Sequence, residues 1–538
     1  MIILVCLVYF IMLVYVINTS GKSIHMLQQN LYNENNRYLK WLGKNFKNSF
    51  INLNLYGILF SAFLFFSVSD ILDVFFLLIL ISVYVVSLFI DKEKRKHDQN
   101  KKPLVITKRV KRLIVTISII YLLPVIFFFI NTENRNICLL ILSILTSMNY
   151  LIIYLANVIN YPVERLVYHH FERLAKNKLK SMNNLKVIGI TGSYGKTSSK
   201  NILNDILKIK FNCLATPKSI NTFNGLMITI NNKLSKLDDI FIAEMGAYVK
   251  GEINGLCKLV NPKYGIITSI GNAHLATFGS EQNIIDGKME LIEYLPSDGI
   301  GVLNKDDLKQ KNYKIKNKNK CKIIWIGIDN KDVDVKASNI KCNSKGTSFT
   351  VKFKDIEKTY DFETKLLGKH NVYNILASIA LGYEFGISIK NLQQAVKKVK
   401  PVEHRLELKR LGDFYQIDDA YNSNPIGAKN ALDVLDLMKG TKVVVTPGMI
   451  ELGEKEEEYN REFGRQISEV ADKVILIGEK RTKPIKQGLI DKKFDEDNIY
   501  VLNDVRDAYV LINKFKEKDD LYALFENDLP DTYTEIGG

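Results

Sequence analysis

L-K-V-I-G-I-T-G-S-Y-G-K-T, residues 185–197, decides how the larger part of this chain folds. Leu185–Ile190 is a short apolar run that reads as a buried strand. The glycine-bearing turn Thr191–Thr197 follows at once. Ser198–Lys208 then places Ile202, Leu203, Ile206 and Leu207 at helical spacing. Strand, glycine loop and helix in that order are the setting of a phosphate-binding loop. Backbone N–H groups at the helix start cradle anionic oxygens, Lys196 neutralises them, and the Thr197 hydroxyl is placed to reach Mg2+. The general Walker spacing asks for glycine at position 190, where this chain has isoleucine between Gly189 and Gly192. The generic pattern is therefore not met, and G-K-T by itself does not fix the chemistry.

Downstream, apolar runs at Ile240–Ala243, Tyr264–Ile270, Gly301–Leu303 and Lys322–Gly327 predict further strands. Alternation across Val333–Phe362 predicts a small antiparallel patch, and a helix runs from Val372 to Phe385. Lys400–Pro401 reads as a hinge. After it, strands at Tyr415–Ile417, Lys442–Val445, Lys473–Ile477, Ile499–Leu502 and Tyr522–Phe525 alternate with helices, the pattern of a second doubly wound sheet.

Upstream the composition changes. Five apolar stretches, Ile2–Ile17, Ile51–Val68, Leu72–Ile90, Leu113–Ile130 and Ile137–Ile159, each approach the length of a membrane span. The first lacks a basic leader and a small-residue cleavage site, so it reads as an uncleaved anchor. Lysines and arginines gather after the first span and between Lys92 and Arg112, whereas the second and third spans are separated by Ser69 and Asp70 alone. By the positive-inside rule the N-terminus lies outside and everything after residue 160 lies in the cytoplasm, where ATP is available. The expectation is a multi-pass protein of the cell membrane. It has three parts: an all-α transmembrane segment over 1–160, an ATP-binding α/β domain over 161–399, and a Rossmann-like domain over 400–538.

A net charge of +16 invites a nucleic-acid reading, but the densest basic run lies between apolar spans, where topology accounts for it. No basic patch is interleaved with aromatics, so nucleic acid is not an expected partner. The six cysteines form no CxxC pair and no zinc-ligand spacing, and read as free thiols. Glu454–Glu458 reads as a solvated helix face, and His169–His170 is assigned no role.

At Thr191–Thr197 the loop resembles the version found in the Mur ligase family, T-G-(S/T)-x-G-K-(S/T). Other segments match that family in order across residues 185–460. They are A-T-P-K-S-I-N-T (215–222), A-E-M-G-A (243–247), I-G-N-A-H-L (270–275), D-G-K (286–288) and L-N-K-D-D (303–307). G-K-H-N-V-Y-N (368–374), H-R-L-E (404–407), D-D-A-Y-N-S-N-P (418–425) and P-G-M-I-E-L-G (447–453) follow. Within the family, the last two segments are most similar to the ligases that add D-alanyl-D-alanine to a muramoyl-tripeptide.

The resemblance implies a P-loop central domain, a Rossmann-like closing domain, and ATP-dependent amide formation through an acyl phosphate. It places Gly192, Ser193, Gly195, Lys196 and Thr197 around the ATP phosphates. Glu244 and His274 join Thr197 as Mg2+ ligands, and carbamylated Lys288 serves as a carboxylate-like ligand for a second Mg2+. Asn371 and Asn374 are implied at the adenine, Arg405 and Asp419 at the phosphates and ribose, and Asn221 and Thr222 at the acceptor. Lys196, Lys288, His274 and Arg405 form the catalytic set. Read singly, Glu244, His274, Asn371 and Lys288 are ordinary capping, structural or surface residues; it is their joint order that implies a site.

Two departures from the family matter. Muramyl-peptide ligases carry a soluble domain that grips a UDP-sugar, yet only about 25 residues separate the last apolar span from the loop strand, too few for a domain. This points to an acceptor in the same bilayer, a lipid-linked envelope precursor, which receives an amino acid or dipeptide. Near the C-terminus the family often places K-G-S where this chain has F-E-N-D-L-P-D (525–531), which puts D-alanyl-D-alanine as donor in question. The rival expectations are a ligase for UDP-linked tripeptide with a membrane anchor, and a poly-γ-glutamate-type capsule synthetase.

Overall fold

The computed structural model describes residues 1–97, 104–131, 133, 135–317, 321–343, 345–420, 424–450, 452, 455–515 and 520–527. The chain divides into two compact units, Met1–His170 and Phe171–Gly538.

The first unit is helical. Three of its helices, Ile2–Gln29, Asp70–Glu93 and Lys108–Ile130, are long and apolar enough to cross a membrane, and a bent pair, Arg135–Ser147 and Asn149–Lys180, adds a fourth if counted as one span. The five apolar stretches of the sequence take different forms here. The second stretch, Ile51–Val68, yields only the 10-residue helix Asn54–Phe63, about 15 Å long and half of what a bilayer core needs. The fifth is broken by an 88° bend at Met148. Polar side chains account for that break. Ser147 Oγ bonds to the carbonyl oxygens of Asn54 and Ser143, while the Asn149 amide donates to Thr19 and Ser23 and accepts from Tyr121. Hydropathy counts apolar residues and does not see these bonds.

The outer face of this unit is apolar: Ile3 is 86% exposed, Phe66 80% and Ile71 82%. Its interior packs Val8, Met12, Leu27, Tyr38, Leu80, Tyr84 and Leu139 out of solvent. Of the basic run Lys92–Arg112, residues 98–103 lie outside the described residues.

The second unit holds two sheets. The first has nine strands: β1 Lys186–Thr191, β2 Cys213–Ala215, β3 Ile240–Glu244, β4 Tyr264–Ile267, β5 Ile300–Asn304, β6 Lys322–Gly327, β7 Val335–Asn343, β8 Gly346–Phe353 and β9 Thr359–Thr364. Their order is β2-β3-β1-β4-β5-β6-β7-β8-β9. Neighbours are parallel from β2 to β7, and β7, β8 and β9 pair antiparallel. The expected antiparallel patch is thus an extension of the main sheet. Helices Lys196–Leu207 and Lys369–Glu384 pack on this sheet through Ile202, Leu203, Ile206, Val372, Ile375 and Ile379, all buried.

The second sheet orders β10 Glu407–Leu411, β11 Phe414–Asp419, β15 Leu521–Glu526, β12 Thr441–Thr446, β13 Lys473–Ile477 and β14 Ile499–Leu502. All of its neighbours are parallel except β10 with β11. In open sheets of this kind the loops at the carboxyl ends of the parallel strands carry the chemistry.

Candidate active site

The loop leaves the carboxyl end of β1, which lies between β3 and β4. Gly192 (φ +151°) and Gly195 (φ +79°) have backbone conformations that L side chains rarely adopt. A Cβ at Gly192 would collide with Thr268 Oγ1, so only glycine lets the loop pack this closely against the segment after β4. The loop is pinned from β4's side: Ser193 N donates to Ser269 O at 2.7 Å, Ser193 Oγ to Gly271 O at 2.9 Å, and Thr268 Oγ1 to Tyr194 O at 2.6 Å. Lys196 Nζ donates to the carbonyl oxygens of Gly192 and Ser193 at 2.8 and 3.1 Å, folded over the loop. Burial lowers its pKa to about 8, with Glu244 opposing and Arg405 adding to the shift.

Glu244 ends β3 and is 1% exposed. Its carboxylate accepts from Thr197 Oγ1 at 3.1 Å, Asn221 Nδ2 at 3.2 Å and Lys200 Nζ at 3.1 Å. Lys200, one helical turn beyond Lys196, escaped the sequence reading. It is fully buried and also donates to Lys218 O, so the Glu244 charge is compensated inside the fold. The spacing K-T-S-S-K puts Lys200 on the same helix face as Lys196, but nothing in it points to the Glu244 partner. Thr222 caps helix Phe223–Lys233, accepting from Gly225 N at 3.3 Å.

Lys288 lies on helix Glu281–Tyr294 and is 1% exposed. It donates to Ala247 O at 3.1 Å, and its ammonium stands 5.2 Å from the Phe278 ring centroid. Burial, then repulsion from Lys196, lowers its pKa to about 7, which leaves a large neutral fraction of amine at physiological pH. His274 has φ +61° and its ring lies 4.5 Å from that of Tyr248. Burial and the cations Lys288 and Lys196 lower its pKa, favouring the neutral imidazole that can ligate a metal.

Asn374 faces the loop: a Cβ at Gly195 would stand 3.6 Å from its Oδ1. Asn371 donates to Leu367 O at 2.8 Å at the start of the same helix. Arg405 comes from the second sheet's side. It lies between His404 and Leu406, both in left-handed backbone (φ +59° and +48°), and within electrostatic range of Lys196, Lys200 and Asp419. Asp419 Oδ1 accepts from Leu406 N at 3.2 Å, and burial raises its pKa to about 6 against the pull of Arg405. Neighbouring Asp418 holds the segment through His404 Nδ1 at 2.9 Å and Lys409 Nζ at 3.0 Å. Of the segments singled out in the sequence, Tyr421–Ser423, Glu451, Gly453–Glu454 and Asp528–Asp531 lie outside the described residues.

Among the described residues no group of three His, Cys, Asp or Glu side chains could hold a metal unaided. Glu244 and Thr197 nevertheless offer a carboxylate and a hydroxyl side by side at the loop. That hard-oxygen pair fits Mg2+, which typically takes one or two protein ligands and completes its shell from phosphate and water.

A glycine loop at a strand's carboxyl end, a lysine folded over it, a buried carboxylate beside it and an arginine within electrostatic range make a site with the chemistry to bind a phosphoryl group. The chain matches the Mur ligase middle domain over residues 190–382 and the Mur ligase glutamate ligase domain over 404–525. It is 33% identical over 355 residues to the UDP-N-acetylmuramoyl-tripeptide–D-alanyl-D-alanine ligase of Bacillus subtilis, covering 65% of this chain and 74% of that one. It is 30% identical to the same-named ligase of Escherichia coli, covering 54% and 64%. Among solved structures, MurF ligase from Thermotoga maritima in complex with ADP superposes with a TM-score of 0.58 at 25% identity, covering 67% of this chain and 80% of that one. MurF from Acinetobacter baumannii superposes with a TM-score of 0.60 at 24% identity, covering 66% and 77%, a likeness of fold. The chain belongs to the Mur ligase family, the ATP-dependent amide ligases. It spans from about half to three quarters of the length of the relatives it matches, and both family models begin after the first unit.

Proposed function

We propose that this protein is a membrane-anchored ligase of cell-envelope, peptidoglycan-type precursor synthesis, joining an amino acid or dipeptide to a carboxylate on a lipid-linked acceptor. The observation that carries the reading is the first unit: three helices of spanning length with an apolar outer face, joined directly to a Mur ligase core. The domains run 1–160, 161–399 and 400–538, with the N-terminus outside and the catalytic domains in the cytoplasm. An enzyme held in a bilayer gains most, through effective concentration, from an acceptor confined to that bilayer.

The reaction proceeds in two steps. An acceptor carboxylate oxygen attacks the γ-phosphorus of ATP, the bond to ADP breaks, and an acyl phosphate forms. The donor amine then adds to the acyl carbon, gives up a proton, and phosphate departs with the bonding electrons. Gly192, Ser193 and Gly195 present the loop backbone to the phosphates. Lys196 and Arg405 gather the phosphoryl oxygens as charge shifts onto them. Thr197 and Glu244, with His274 and a carbamylated Lys288, would hold Mg2+, which would supply charge neutralisation at the phosphates and Lewis acidity at the acyl oxygen. Asn371, Asn374 and Asp419 position the nucleoside, and Asn221 and Thr222 lie on the acceptor side.

A second reading has a specific observation behind it. The 33% identity is to a ligase named for a UDP-linked tripeptide. Purified protein in detergent, given ATP and D-alanyl-D-alanine or single amino acids, is tested with lipid-linked muropeptide and with UDP-muramoyl-tripeptide. Turnover with the lipid form in excess of the UDP form is expected. Equal or greater turnover with the UDP-tripeptide overturns the lipid-linked acceptor and leaves an anchored ligase of the soluble precursor.

A further inference from the structure

The first unit contains a cavity of about 600 Å³, within the range of small-molecule sites. It lies toward the end of the bundle where Lys22 and Asp91 approach the ends of their helices, Ile2–Gln29 and Asp70–His97. Its lining is unlike that of a packed helical core. Only Ile51, Leu53 and Ile90 are aliphatic; the rest are amides, hydroxyls, the Trp41 indole, and one cation and one carboxylate.

Polar groups in a membrane unit are costly unless bonded, and most in this one are. Ser61 and Ser143 lie 2.7 Å apart, Tyr84 and Thr146 2.8 Å, and Tyr121 donates to Asn149 at 3.0 Å. Against that background two cavity-lining atoms stand out: Asn54 Oδ1 and Ser87 Oγ have no hydrogen-bond partner, though Asn54 is 1% and Ser87 5% exposed. Buried polar atoms without a partner call for an explanation. Here both belong to a space large enough for a ligand.

The lining also specifies the ligand. One positive and one negative side chain do not select a strongly charged group, and the volume is far beyond a bare ion. Amide and hydroxyl groups able both to donate and accept, beside a Trp41–Tyr150 aromatic pair with centroids 5.8 Å apart, suit a sugar ring with its hydroxyl and acetamido groups. We propose that this cavity binds the amino-sugar headgroup of the acceptor, so that the first unit recognises substrate as well as anchoring the enzyme. The proposal rests on the acceptor reading above.

Two tryptophans occur in the chain, so a Trp325→Phe protein reports on Trp41 alone. Full-length protein in nanodiscs, without ATP, is titrated with polyprenyl-diphosphate-linked N-acetylamino sugar, with sugar-free polyprenyl diphosphate, and with the UDP-linked amino sugar. The sugar-bearing lipid is expected to shift Trp41 emission and to bind at least tenfold more tightly than the sugar-free lipid. Ser87→Leu fills the cavity without breaking an internal bond; it should weaken that binding at least tenfold with unchanged circular dichroism, while Lys196→Ala leaves it intact. Equal binding of the sugar-free lipid, or full affinity in Ser87→Leu, overturns the site. Tighter binding of the UDP-sugar, lost in Ser87→Leu, keeps the sugar site and overturns the lipid-linked acceptor instead.

Discussion

Lys288 carries its ammonium into a pocket where burial and Lys196 bring its pKa to about 7. Carbon dioxide adds to a neutral amine and not to an ammonium, so the same environment that makes the charge costly would favour the proposed carbamate. Raising the pH from 6 to 8 should therefore increase a protein carbamate signal in carbon-13 NMR with labelled bicarbonate, and Lys288→Met should abolish it. The sign for stability follows from the same shift. Unfolded, this lysine keeps its proton until its ordinary value near 10.5, so below about pH 7 the full cost of burying the charge is present. That cost shrinks as pH rises through the window between the two values. Lys288→Met should accordingly raise the Tm, by more at pH 7 than at pH 10. Lys200 has the opposite character, because its buried charge is matched by Glu244 at 3.1 Å. Lys200→Met strands the Glu244 carboxylate and should destabilise the fold by about 3–5 kcal/mol in chemical denaturation.

Among elements, the second sheet is covered by a tight helix crossing. Helices Glu456–Ile467 and Glu479–Asp491 approach through Gly464 and Gly488, where an added Cβ would strike the backbone carbonyls of Ile485 and Arg461. A backbone atom cannot rotate away, so Gly464→Ala should force the helices apart and cost about 1–3 kcal/mol or more, read as a lower denaturation midpoint. The sequence showed neither glycine as special, because close approach is a property of two helices and not of one. Strands with apolar runs, such as Ile240–Glu244 and Lys473–Ile477, were legible because both faces of a parallel sheet are covered. Glu407–Leu411 was missed since E-L-K-R-L is an edge strand with charged side chains, and Cys213–Ala215 since three residues carry no pattern. The loop residues were readable from order alone. Lys200 was not, for its meaning depends on Glu244 arriving from another strand. In the first unit apolar length was legible, but the bend at Met148 was not, because it depends on bonds between distant helices.

At the scale of the whole molecule, an apolar-surfaced helical unit is coupled to a ligase core. If that unit spans the bilayer, alkaline carbonate washing should leave the protein in the membrane fraction, and detergent should be required to release it; release by carbonate would contradict the anchor. In the proposed reaction the core activates a carboxylate by phosphorylation. Isotope transfer tests this most directly. With oxygen-18 in the acceptor carboxylate, the reaction should give ADP, an amide product, and inorganic phosphate carrying one labelled oxygen for each amide formed, all lost in Lys196→Ala. Label appearing in AMP, or phosphate released without label, would contradict the acyl-phosphate account.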